Sequence, residues 1–182
     1  MASMTTLPRG RQFTAADLAA MPDDGNRYEL VDGALIVTPS PRFRHQRLLG
    51  RLYSHLDSTC PAGPVVLFAP FDVRISELTV LQPDLLVAPR TAFGEANLPG
   101  APLLAVEVLS PSTRHIDLGL KRSAYEAARC PAYWVVDPEG PSVTAWELRG
   151  GEYVVAGTAT GAETLTLAAP YPVSITPERL LD

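Results

Sequence analysis

The sequence predicts one α/β domain, a central mixed β-sheet with helices packed on it. Three observations lead there. Segments 103–109 and 132–136 are apolar on both faces, which is how strands covered on both sides read. Helix-period segments both precede and interrupt the strand-like runs, so helices and strands belong to one unit. The chain has 182 residues, 46% of them apolar and 19% charged, which is one domain's worth of globular sequence.

Taken in order, Thr14 caps a short helix reaching Met21, and Pro22-Asp23-Asp24-Gly25 ends it. Runs 28–31 and 34–37 flank Asp32-Gly33, the signal for a two-residue hairpin. That register places Glu29 on one face with Val31, Ala34 and Ile36. Pro39 and Pro41 break the hairpin, and a helix follows over about 43–58. His45, Leu48, Leu49, Leu52 and Leu56 form its apolar stripe, with Arg44, Arg47 and Arg51 off it. Strands are expected at 65–69, 71–75 and 85–88, then at 103–109. Ser110-Pro111-Ser112-Thr113 caps a helix to about residue 129, and 132–136 is the second fully apolar strand. Runs 143–148, 153–156 and 164–167, with Gly150-Gly151 as a turn, read as a C-terminal meander before a short helix after Thr176-Pro177.

Composition removes several classes. No run of about 18 apolar residues exists to span a membrane. Met1 to Arg11 lacks the apolar segment of a secretory signal. Cys60 and Cys130 are far apart, which suits a reducing cytoplasm better than a disulfide framework or zinc ribbon. A net charge of −5 argues against a protein that coats DNA non-specifically, though not against an enzyme that touches nucleic acid briefly. P-loop, GxGxxG, GxSxG and HExxH patterns are absent. Between Asp32 and Asp57 there are four Arg, two His and no acidic residue, the one clear basic patch.

Three residues stand out. Glu107 lies inside an apolar strand, where a carboxylate must be paired, protonated or holding a metal. Asp84 follows Pro83 at a strand entry, and the two acids sit on candidate neighbouring strands. Converging carboxylates suit a hard divalent cation. Lys121 is the single Lys beside fourteen Arg, on a helix stripe with Asp117, Leu120, Ala124 and Ala128. A surface pair with Asp117 would tolerate Arg, whereas a compact ammonium aimed at a water or phosphate would not.

Several ordered segments resemble a known family. These are YELVDGALIV at 28–37, HQRLLGRL at 45–52, APFDVRIS at 69–76, QPDLLV at 82–87, VEVLSPSTR at 106–114, KRSAY at 121–125 and YWVVDP at 133–138. Together they resemble the Uma-type putative restriction endonucleases, within the PD-(D/E)XK nuclease superfamily and common in bacteria. The resemblance spans about residues 13–153 and implies a restriction-endonuclease-like core. It also implies that Asp84 and Glu107 bind Mg²⁺ or Mn²⁺, that Lys121 aids the attacking water, and that Glu29 is a further acid near the metal. The position two after Glu107 is Leu109 instead of Lys, and the resemblance implies that the Lys has moved to the following helix, where Lys121 fits. His45 enters as a site candidate by the same resemblance; its stripe position alone reads as core.

The expected organisation is one domain over 1–182: an arm and short helix at 1–26, a nuclease core at 27–138, and the meander and short helix at 139–182. The expected activity is that of a metal-dependent endonuclease on DNA, cytoplasmic and homodimeric, without membrane contact. Arg42, Arg44 and Arg47 are expected to face phosphates. Arg114 and Arg122 are weaker phosphate candidates, Gln82 shares a face with Asp84, and Asp72 and Asp137 read as structural. The competing expectation is a nuclease fold retained as a catalytically inactive binding or regulatory module. Converging carboxylates without a cation should repel, so Asp84→Asn is expected to leave the apo protein as stable or more so.

Overall fold

The structure, a computed structural model, describes residues 10–181. Residues 1–9, the start of the arm read as leaderless, lie outside the described residues, as does residue 182. Thr14 caps α1 (Ala15–Ala19) through a capping box with Asp17. β1 (Arg27–Val31) and β2 (Ala34–Thr38) pair with Glu29 opposite Ile36 and Val31 opposite Ala34. Asp32 and Gly33 both take positive φ, 50° and 79°, as the two-residue turn requires. α2 (Phe43–Thr59) buries His45, Leu48, Leu49, Leu52 and Leu56, the expected stripe.

β3 (Pro64–Phe68), β4 (Asp72–Arg74), β5 (Val80–Leu81), β6 (Leu85–Pro89), β7 (Asn97–Pro99) and β8 (Leu104–Val108) follow. Next come a π-helical segment, Ile116–Lys121, and α3 (Arg122–Ala127). β9 (Ala132–Asp137), β10 (Ser142–Arg149), β11 (Glu152–Thr160), β12 (Leu165–Leu167) and β13 (Val173–Ile175) complete the strands, and a 3₁₀ turn, Pro177–Leu180, ends the chain. β5, β7 and β13 have no counterpart in the sequence reading. At two or three residues they are too short to show a period. The single helix expected over 113–129 is instead divided between the π segment and α3.

Six strands form the central sheet in the order β11-β10-β9-β8-β6-β3. β8 and β9 run parallel, joined by the helical crossover, and the other neighbours run antiparallel. A second sheet, β2-β1-β5-β4-β7, and the β12–β13 hairpin stand apart from it. Period two sorts the central strands. Leu104, Val106 and Val108, with Leu85, Val87 and Trp134, meet α2 on one face. Val143, Leu167, Tyr171, Val173 and Ile175 join that same cluster, so the C-terminal segment shares the core. Ala105, Leu109, Tyr133 and Val135 face the other way, against Val31, Ile36, Leu81 and Tyr125. Glu107 alternates onto this second face, under the hairpin and α3.

Candidate active site

Glu29, His45, Asp84, Glu107, Asp117 and Lys121 are all buried. Leu85 pairs with Val106, so the antiparallel register sets Asp84, one residue earlier, beside Glu107. The amide of Val108 donates to Asp84 Oδ2 at 2.8 Å, which pins the carboxylate to the neighbouring strand. Arg27 donates from both terminal nitrogens to Asp84 Oδ1, at 3.0 and 2.9 Å, and to the Gln82 carbonyl at 2.8 Å. His45 Nε2 lies 3.1 Å from Asp84 Oδ2. A carboxylate only accepts, so this contact places the ring proton on Nε2. His45 Nδ1 is then a buried acceptor without a hydrogen-bond partner.

Lys121 closes the other half. Its Nζ lies 2.9 Å from Glu29 Oε2, 3.2 Å from Glu107 Oε1 and 3.7 Å from Asp117 Oδ1. The π segment makes this possible. On a regular α-helix, Leu120 would share the inward stripe with Asp117 and Lys121. The widened turn leaves Leu120 43% exposed and keeps both charged residues inside. Tyr133 on β9 donates to the Asp117 carbonyl at 2.8 Å and ties the segment to the sheet. Glu29 is held on its remaining side by the Gln82 amide, 2.7 Å from Oε1.

Four carboxylates, Glu29, Asp84, Glu107 and Asp117, thus face two fixed cations, Arg27 and Lys121. Counting His45 as neutral, the formal charge is −2 when all four are ionised. Burial pushes Glu107 well above the usual carboxylate range; Lys121 opposes this, while Asp117, Asp84 and Glu29 add to it. Asp117 is raised by burial too, against the pull of Lys121. Burial would raise Asp84 as well, but His45 and Arg27 outweigh it and hold Asp84 well below its ordinary value. Lys121 keeps its proton: burial disfavours the ammonium, and Glu107, Glu29 and Asp117 more than compensate.

These groups line a cavity of about 340 Å³, with Arg42, Arg44 and residues 110–113 at its walls. A second hollow of about 720 Å³ shares Arg27, His45 and Asp84 with it and is also lined by Gln46 and Gln82. Arg44 lies 3.6 Å from Glu139. Arg47 is exposed on α2 and is not among the residues lining either hollow. Arg114 pairs with Asp137, and Arg122 sits 5.5 Å over the Trp146 ring, so both have structural partners. Gln82 turns its side-chain amide to Asp72 at 2.7 Å. Sequence reasoning missed Arg27, which shares the inner face of β1 with Glu29 and Val31. It placed Asp117 on the helix stripe of Lys121 but gave it no role beyond a surface pair. Their spacings, i to i+2 on a strand and i to i+4 on a helix, are the signals that point to them.

Among the described residues, no three His, Cys, Asp or Glu side chains are grouped as a formed metal site. Comparison with known proteins adds the family. The profile of Uma2, described as "Putative restriction endonuclease", matches residues 15–178. The chain belongs to the Uma2 family. No match is found among curated proteins. A solved structure from Anabaena variabilis ATCC 29413, described as a putative nuclease belonging to DUF820, is similar at 15% identity with a TM-score of 0.68. The match covers 87% of this chain and 89% of that one. At that identity the likeness shows the fold, which is the mixed α/β, restriction-endonuclease-like architecture expected for Uma2 proteins.

Proposed function

We propose that this Uma2 protein is a metal-dependent endonuclease that hydrolyses phosphodiester bonds in DNA. The observation that carries this reading is one buried ammonium shared by Glu29, Glu107 and Asp117, beside Asp84, on the floor of an open cavity. Buried ion clusters are costly and a well-packed apolar core is often more stable. An excess of buried negative charge with raised carboxyl pKa values is therefore a mark of function.

The donor set suits Mg²⁺ or Mn²⁺: hard carboxylate oxygens, a formal −2 charge and an opening to water. Asp84 and Glu107 would hold the cation, with Glu29 beside them, and Asp84 would release one of its contacts with Arg27, His45 or the Val108 amide to do so. It would supply a Lewis acid at the phosphoryl oxygen and cancel the charge that Glu107 otherwise relieves by protonation. Lys121 remains protonated, so it cannot act as a base near neutral pH. Its role is to orient the attacking water and stabilise negative charge at phosphorus. His45 and Arg27 fix the orientation of the Asp84 carboxylate. Arg42 and Arg44 stand at the cavity wall, with Arg47 further along α2, to meet phosphates.

The reading extends to a homodimer, which brings two such sites to two strands. The exposed Val154 and Val155 on β11 offer apolar surface for it. Cys60 and Cys130 are free thiols, in keeping with a reducing cytoplasm. The test is nicking of supercoiled plasmid with Mg²⁺, Mn²⁺ or EDTA. Metal-dependent nicking lost in Asp84→Asn and Glu107→Gln is expected, and no cleavage of any DNA would favour the inactive-module reading.

A further inference from the structure

Phe43 is 84% exposed, the most open large hydrophobic side chain among the described residues. It is the first residue of α2, flanked by Arg42 and Arg44, which both line the 340 Å³ cavity. His45, two residues on, contacts Asp84. Gln46, one helical turn from Phe43, lines the 720 Å³ hollow. Phe43 itself lines neither hollow; its place in the chain sets it between two arginines of the first and one turn from the wall of the second.

The charge pattern favours a nucleic acid as its occupant. Arg42 complements a phosphate, Arg44 does so on leaving its 3.6 Å contact with Glu139, and the exposed ring next to both in the chain stacks on a base. Asp84 is only 3% exposed, so a scissile phosphate must descend into the cavity. A base stacks on an aromatic ring only when its own stack is opened, so the strand that reaches both Phe43 and the cavity is an unpaired one. Resting on the nuclease reading, we propose that Arg42-Phe43-Arg44 grips a single DNA strand. Phe43 stacks on one unpaired base, the two guanidiniums take the flanking phosphates, and the adjoining phosphodiester is presented to the Asp84 site. The preferred substrates are then single-stranded, flapped or frayed DNA.

The experiment is fluorescence anisotropy in EDTA, with labelled oligothymidylate and a duplex of equal length. Wild type should bind the single strand more tightly. Phe43→Ala should weaken that binding about 5- to 100-fold and leave duplex binding nearly unchanged. Phe43→Trp should restore it, with indole fluorescence quenched on titration, and Phe43→Leu should behave like the alanine variant. The ring is exposed, so these variants keep the fold. Wild-type single-strand affinity in Phe43→Ala, or full rescue by leucine, would overturn the proposal. So would no single-strand binding by wild type, or a change of oligomeric state with unchanged affinity, which would assign the ring to a self-interface. The two readings fail separately: stacking without metal-dependent cleavage leaves the single-strand grip standing and removes the nuclease with its substrates, and the converse removes only the grip.

Discussion

Lys121 Nζ lies 3.2 Å from Glu107 Oε1, reaching it from the helical crossover although the strand position two after Glu107 holds Leu109. The ammonium arrives fourteen residues later in the chain because the π turn aims it back over β8. Four predictions follow from this geometry and its electrostatics.

Lys121→Arg keeps the charge but not the shape. A planar guanidinium has no room among Glu29, Glu107 and Asp117 at the present ammonium distances. Cleavage is expected to fall about 10²- to 10³-fold, with the metal-induced rise in melting temperature retained. Wild-type rates from the Arg variant, measured on plasmid or oligonucleotide, would remove Lys121 from the chemistry.

Glu107 should make stability fall as pH rises. Burial raises its folded pKa above the ordinary 4.5, so the folded state binds more proton than the unfolded state between those two values. Above about pH 4.5 the wild type therefore loses stability relative to Glu107→Gln, until the folded pKa is passed. Thermal melts of both proteins at stepped pH check this; parallel curves would mean that Glu107 is not desolvated.

Asp84 behaves in the opposite sense. Its depressed pKa contributes stability above about pH 3.8 that is lost as pH falls through the folded value. Arg27, His45 and the Val108 amide all bond this carboxylate, so Asp84→Asn leaves Arg27 without its charge partner. The sequence alone suggests relief of repulsion on this substitution; these partners reverse the sign. A loss of about 3–5 kcal/mol at neutral pH is expected from denaturant melts.

Metal binding should compete with the proton on Glu107. Mg²⁺ or Mn²⁺ at a hundredfold excess over Kd should stabilise by about 2.7 kcal/mol. The apparent affinity should rise with pH over the range where Glu107 titrates, with protons released on binding. Calorimetry in buffers of different ionisation enthalpy measures that release. A metal response that persists in Asp84→Asn would place the cation elsewhere.

The sequence determined the elements long enough to show a period, and the chemistry confined to one of them. The apolar run over residues 104–108 marks Glu107 as the acid out of place, and the Asp32-Gly33 turn sets which hairpin face carries Glu29. The solitary Lys marks itself by composition. Only the tertiary structure brought Arg27 to Asp84, 57 positions away, and turned Asp117 inward with Lys121. The two-residue strand β5, the widened π turn and the net charge of the cluster also lie beyond local pattern. Propensity and periodicity act between near neighbours, whereas desolvation and ion pairing depend on which distant side chains share a cavity.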